Sequence, residues 1–270
     1  MTSTLLSRGL LAHHTDYFSA YAPNAQKARN LLNACGIPYQ CCEQPFFQPR
    51  PILTDLGVEY RRVPVNFIGK DGYCDNRVFL SAVQDIFNHR RLEESPADHA
   101  YEAFGYRSFW VSLPLVPEKL RTEQLGKDRM DLFTVFARDD YPSLRPGALA
   151  EFKQLLSIVE NDFLANSRFI NGRKVSVADI HASWMIKWAL ETIETGKEPG
   201  FGPEDFPKVY KWIGGLKDHD EKNAPPTIEA EEAKKQLLGA DYAAREIGID
   251  SKDPMGLKKG QKVSVETSDE

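Results

Sequence analysis

The sequence predicts a chain in two parts, an α/β layer of βαβ-ββα order followed by an all-α half. Three observations carry that reading. Strand and helix patterns alternate up to about residue 90, strand signals vanish from about 98 to 222, and a charged, proline-containing stretch, "NHRRLEESPAD", separates the two regions. A chain of 270 residues is long enough for two modest domains and needs no metal or disulfide staple.

Residues 1–14 read as an N-terminal extension, and the α/β layer is expected over 15–90. "TDYFSA" is the first strand candidate. From Asn24 onward Ala28, Leu31, Leu32 and Cys35 recur at helical spacing, Gly36 stands where a left-handed C-cap belongs, and Pro38 stops the helix from resuming. "PYQCCE" then begins a second strand parallel to the first. "QPRPILTDLG" reads as a loop plus a short helix, "RVPVNFI" as the third strand, and "KDG" as the turn of a hairpin into "YCD". The helix that follows should bury Val78, Phe79, Ala82, Val83 and Ile86.

The helical half is expected over 98–222, with Phe152, Leu155, Leu156, Val159 and Phe163 marking one amphipathic face. Within it "VSVADIHASW" carries a capping box, Ser176 as N-cap with Asp179 three residues on, and Val175 with Ile180 as its hydrophobic staple. Residues 223–270 form a C-terminal extension with one further helix in "EAEEAKKQLLGADYAAREI". Periodicity leaves three places open for this tail: over an acceptor pocket, on the α half, or mobile.

Composition excludes several classes of function. Charged residues make up 27% of the chain with both signs mixed and a net charge of −5, so no basic field attracts nucleic acid or anionic lipid. Arg8 splits the apolar run near the N-terminus, and no stretch of about 18 apolar residues exists, so neither a signal peptide nor a membrane span is indicated. The four cysteines show no metal-ligand spacing, which points to no metal site and to a reduced, cytoplasmic protein.

Pro64 is diagnostic because proline lacks a ladder donor and avoids strand interiors. Between "RRV" and "VNFI" it marks a strand start whose Val63–Pro64 bond is expected to be cis, with the Val63 backbone open to pair with an extended peptide. A βαβ unit, a Val-Pro at the third strand and a ββα unit together outline a thioredoxin-type layer. With "APNAQKAR" at the first helix, "RRVPV" at the third strand and "YCDNRVFLSAV" at the next helix, the chain resembles the glutathione transferase superfamily over most of its length. Ala22 stands where serine- or cysteine-type members carry their hydroxyl or thiol, so the pattern is most similar to the fungal Asn-type members related to a nitrogen-regulatory protein.

That resemblance implies glutathione as co-substrate, no metal, and a homodimer. Val63 and Pro64 would hold the cysteinyl part, and Asp75 with Asn76 the γ-glutamyl end. For the glycyl carboxylate the usual histidine is absent, with Pro49 in its place, so Gln48, Arg50 and Arg62 are the candidates. Asn24 is the first-choice catalytic residue and Tyr21 the second, with Tyr17 a weaker phenolic alternative. Lowering a thiol pKa from about 8.5 toward 6.5 requires about 2.7 kcal/mol of thiolate preference. One neutral hydrogen bond contributes about 1 kcal/mol, so backbone donors at the helix start must share the task. Tyr101, Phe104 and Trp184 are the candidates for an acceptor pocket that takes a small, aromatic electrophile. The implied activity is transfer of glutathione to such a molecule in fungal secondary metabolism or detoxification. The alternatives are a glutathione-dependent isomerase, dehydratase or reductase, and a non-catalytic scaffold of the same fold.

Overall fold

The computed structural model describes residues 10–13, 22–45, 47–130, 132–216, 225–245 and 248–263. Its first half is a sheet of strand order β2-β1-β3-β4, built from β1 (Leu10–His13), β2 (Gln40–Cys42), β3 (Asn66–Ile68) and β4 (Asp71–Tyr73). β1 runs parallel to β2 and antiparallel to β3, and β3 and β4 form a hairpin. The helices of this half are α1 (Pro23–Ala34), α2 (Pro51–Asp55) and α3 (Asn76–Ile86). The architecture is therefore the α/β layer followed by a helical half.

Three local expectations change. The first strand is "LLAH" at Leu10–His13, inside the segment read as an extension, while "TDYFSA" lies outside the described residues. A central strand with neighbours on both sides needs no polar alternation, so a short apolar run suits it. The hairpin turn falls at Gly69–Lys70, starting one residue before the predicted "KDG", because Gly69 supplies the positive φ of 60° that the turn demands. On α3, Val78 is 56% exposed and Leu80 is buried in its stead.

The second half comprises α4 (Asp98–Ser112), α5 (Glu123–Arg129), α6 (Tyr141–Ile158), α7 (Val177–Lys187) and α8 (Pro207–Ile213), with π-helical turns extending α6 and α7. The capping box forms at the start of α7. Asp179, fully buried, accepts from the Ser176 N–H at 2.9 Å and its hydroxyl at 2.6 Å, and also from the Ile170 N–H at 2.9 Å and Trp212 Nε1 at 2.8 Å. One carboxylate thus ties α7 to α8 and to the preceding loop. The linker is fixed as well, since the Gln84 amide brackets the Leu92 main chain at 3.0 and 3.1 Å and the Val177 N–H donates to Glu93 O at 3.0 Å.

The described part of the C-terminal segment from 225 to 245 lies at a place other than the α half or the acceptor pocket. It docks on the α/β half. Cys41 N–H donates to Pro226 O at 2.9 Å and Ile228 N–H to Cys41 O at 2.8 Å, which covers the outer edge of β2. Helix α9 (Ala230–Gly239) then places Ala233 and Leu237 in a small core with Leu53 of α2, Val65 and Phe67. Beyond it, the Ala243 and Ala244 N–H groups donate to Asp71 Oδ2 at 2.6 and 2.8 Å, and a Cβ on Gly69 would stand 2.3 Å from Asp241 O. Only glycine at the hairpin turn lets this strap approach so closely.

Candidate functional site

The site is built outward from the first turn of α1. Pro23 opens the helix, where its missing N–H is no loss, and extended Ala22 is an N-cap without a capping side chain. The Ala25 and Gln26 N–H groups both return to Ala22 O, at 3.0 and 3.3 Å. Among the described residues the Asn24 N–H is then the main-chain donor of this turn left without a partner. Asn24 is not the cap, and its side chain is available for other work.

Asn76, at the first turn of α3, reaches across to it. Its Nδ2 donates to the Asn24 main-chain oxygen at 2.8 Å and to Asn24 Oδ1 at 3.3 Å. Because a donor faces Oδ1, the Asn24 amide is oriented with its own NH2 on the other side. Asp75 caps α3, its Oδ1 accepting from the Arg77 N–H at 2.7 Å and the Val78 N–H at 3.4 Å. The γ-glutamyl pair expected from the sequence is thus adjacent to Asn24, but the Asn76 amide nitrogen is engaged with Asn24 itself.

Asn24 lies on the wall of a cavity of about 170 Å³. Ala22, Pro23 and Asn24 supply one side, and Arg62 with Val63 the next, where the Val63–Pro64 bond is cis. Phe109, Leu113 and Val116 from the end of α4 and the turn after it, Phe133 and Phe136 before α6, and Met185 with Trp188 on α7 close it. Arg129, buried and 2.9 Å from Asp128, is the second cation of the lining. Among the described residues the lining holds no carboxylate, hydroxyl, thiol or imidazole. Such a wall cannot act as a general base; it can position a ligand and stabilise an anion through donors and the positive end of α1.

The other predicted residues are placed elsewhere. Arg50 is buried, with Nε donating to Pro45 O at 3.0 Å and Nη1 to the carbonyls of Tyr60, Arg61 and Arg62 at 3.2, 2.8 and 3.3 Å. Burial lowers its pKa to about 10, with the Arg129 charge acting in the same direction. It is a clamp on the loop that delivers Arg62 and Val63, not a fork presented to a ligand. Gln48 is exposed, with Nε2 3.4 Å from Glu59 O. Tyr21 and Tyr17 lie outside the described residues.

None of the three predicted acceptor aromatics lines the cavity. Tyr101 and Phe104 pack edge-on against Phe163, with ring centroids 5.0 and 4.8 Å away. Trp184 is 2% exposed, stacked on Phe109 at 5.9 Å and lying 5.5 Å from Lys27 Nζ. The π turn after α6 covers the start of α4, so its aromatics become core and the cavity opens one turn further on, at Phe109 and Leu113. On α7 the cavity face is the Met185/Trp188 pair at i, i+3, which "HASWMIKW" contains but which periodicity alone does not rank above Trp184.

One turn beneath Asn24, Lys27 is buried between the Trp184 and Tyr106 rings. Burial draws its pKa down to about 8 against the pull of Glu102 and Asp75. His181 on α7 is also buried, and that burial, reinforced by the Lys27 and Arg77 charges, holds it down to about 3. It is a neutral interior histidine at the junction of the two halves.

The fold has counterparts. A glutathione transferase-like protein of Pseudomonas syringae superposes with a TM-score of 0.62 at 22% identity, over 94% of this chain and 82% of that one. The chain has the glutathione transferase fold. A glutathione transferase of Ceriporiopsis subvermispora, solved in complex with glutathione, matches with a TM-score of 0.58 at 16% identity, over 79% of this chain and 99% of that one. Among curated proteins, glutathione S-transferase U4 of Arabidopsis thaliana is 23% identical over 80% of this chain and 91% of its own length. Curated relatives and solved structures alike support the glutathione transferase superfamily. A family model described as a domain of unknown function (DUF7962) matches residues 110–223, which is most of the helical half of this glutathione transferase fold and includes Phe133, Phe136, Met185 and Trp188 of the cavity.

Proposed function

We propose that this chain binds reduced glutathione and directs its thiolate at a small electrophile, in the manner of the fungal Asn-type transferases. The observation that carries the proposal is the meeting of Asn24, at the positive end of α1, with Val63 on adjacent sides of a cavity whose other lining is apolar apart from Arg62 and Arg129. In this reading the Val63 main chain pairs with the cysteinyl unit, and the Asp75 carboxylate takes the γ-glutamyl ammonium. The sulfur sits beside the Asn24 Nδ2 and main-chain N–H groups. Arg62 is the candidate for the glycyl carboxylate, since it lines the cavity while Gln48 does not and Arg50 is committed to carbonyls.

Two properties of the acceptor follow. A space of about 170 Å³ is close to the roughly 150 Å³ apolar cavity known to take one benzene, so it has room for a single aromatic ring. With no acid or base among the described lining residues, the reaction rests on positioning and thiolate stabilisation. The test is retention on immobilised glutathione together with conjugation of an activated one-ring aryl halide. Retention with turnover supports the reading. Absence of both defeats it and leaves the fold as a scaffold.

A further inference from the structure

A second cleft opens between the two halves at the opposite end of α1 and has a volume of about 550 Å³. Its walls carry Arg90 and Arg91 from the linker and Arg168 and Lys174 from the loop between α6 and α7, against one carboxylate, Glu93. That concentration of positive charge stands in a chain of net charge −5. Local structure accounts for part of it. Arg90 Nη1 donates to Gly36 O, where the negative end of α1 lies, and Arg91 pairs with Glu94 at 2.5 Å. Arg168 lies 5.4 Å from the Phe169 ring centre, and among the described residues neither Arg168 nor Lys174 has a carboxylate partner.

The floor supplies an independent observation. Asn30 is 2% exposed, lines the cleft, and neither its Oδ1 nor its Nδ2 has a hydrogen-bond partner among the described residues. A buried amide left unpaired costs about 1–3 kcal/mol, and such groups mark places where a bound molecule completes the bonding. The wall above is rigid, since Gln84 brackets Leu92 at 3.0 and 3.1 Å between Arg91 and Glu93. Arginine forks and an ammonium set around a polar floor fit oxyanions, and pre-formed walls lower the ordering cost of binding.

We propose that this interdomain cleft binds a small polyanion carrying two or more oxyanion groups, with Arg168 and Lys174 on one wall, Arg91 on the other and Asn30 beneath. Phosphorylated and polycarboxylic molecules share that chemistry, so inorganic pyrophosphate and citrate are the two probes. Titration calorimetry of the full chain at low salt should show one site per chain for at least one probe, and whichever gives the tighter binding identifies the source. We expect Arg168→Glu/Lys174→Glu to weaken that binding at least tenfold, and Lys235→Glu, an exposed change on α9, to leave it as it was. Asn30→Leu removes two unpaired polar atoms. Without probe it should unfold at no lower urea concentration than the parent, yet bind at least fivefold more weakly. Absence of heat with both probes at millimolar concentration overturns the proposal, as does unchanged affinity in the charge-reversed protein or in a folded Asn30→Leu variant.

Discussion

Replacing Asn24 by alanine isolates the side-chain donor from everything else at the mouth of α1. The 2.8 Å bond from Asn76 runs to the Asn24 main-chain oxygen and survives, so the contact between α1 and α3 stays in place and only the 3.3 Å bond to Oδ1 is lost with the amide. A neutral hydrogen bond contributes about 1 kcal/mol and one pKa unit is about 1.36 kcal/mol, so the bound thiol should rise by about 0.7 unit. If the intact site holds the thiol near about 6.5, the thiolate fraction at pH 6.5 falls from about one half to about one sixth, while at pH 8.5 both proteins are more than about nine-tenths ionised. We therefore expect kcat/KM for an activated aryl halide to drop about threefold at pH 6.5 and to be nearly unchanged at pH 8.5. The ultraviolet absorbance of bound thiolate should titrate about 0.7 unit higher. A profile that does not move refutes the role given to the amide. A uniform loss at every pH would show that Asn24 positions the tripeptide and does not ionise it.

Arg50→Met leaves carbonyls of residues 45 and 60–62 without their buried donor, so urea unfolding should show a loss of at least about 2 kcal/mol, and KM for glutathione should rise several-fold because Arg62 and Val63 hang on that loop. Leu237→Ala opens a void against Leu53, Val65 and Phe67, and should cost about 2–4 kcal/mol by the same measurement, although residue 237 stands far from the cavity in sequence. His181 gives the pH prediction. Its folded pKa of about 3 lies below the ordinary 6.5, so the unfolded chain takes up the proton first, and the stability that the neutral ring provides is lost as pH falls from about 6.5 toward 3. Relative to His181→Leu, the parent should lose about 2–3 kcal/mol between pH 7 and 4.5, and parallel pH curves for the two proteins would contradict that burial.

Much of the fold was legible because local chemistry and tertiary need agree there. Pro23, Gly36 and Pro38 punctuate α1 and β2 where the structure has them, and the Ser176/Asp179 box forms as spaced. Where the two diverge, the sequence misleads for identifiable reasons. β1 is a short apolar run beside Arg8, which a rule about interrupted runs discounts, yet a central strand needs little else. Arg50 carries the signature of an anion fork, but what decides its role is four carbonyls up to 12 residues away in the chain, which no spacing rule reports. The side chains that line the cavity lie one helical step from the predicted residue on α7 and about one turn from those on α4, because which aromatic faces a cavity depends on the neighbour that covers the rest, here Phe163. The docking of α9 had no local signal at all, since Ala233 and Leu237 suit any apolar partner.

Both clefts share α1, and the helix imposes opposite electrostatic conditions at its two ends. Its N-terminal turn has proline in place of one donor and main-chain bonds back to Ala22 from Ala25 and Gln26, so its partial positive charge is concentrated on the Asn24 N–H and amide. An anion at that end is favoured by the helix itself, and Arg62 and Arg129 of the lining add to that field, so in the proposed reading a largely apolar wall can still serve a thiolate. The C-terminal end repels an anion unless its carbonyls are neutralised, and Arg90 on Gly36 O supplies that neutralisation before any ligand arrives. The cations beyond Arg90 are therefore in excess of what the helix requires. The same reasoning separates the two sites experimentally. Salt should weaken a polyanion in the cleft steeply, because exposed Arg168 and Lys174 act through solvent, and should barely move the thiol titration beside Asn24, where in the proposed complex the stabilising donors would touch the sulfur directly.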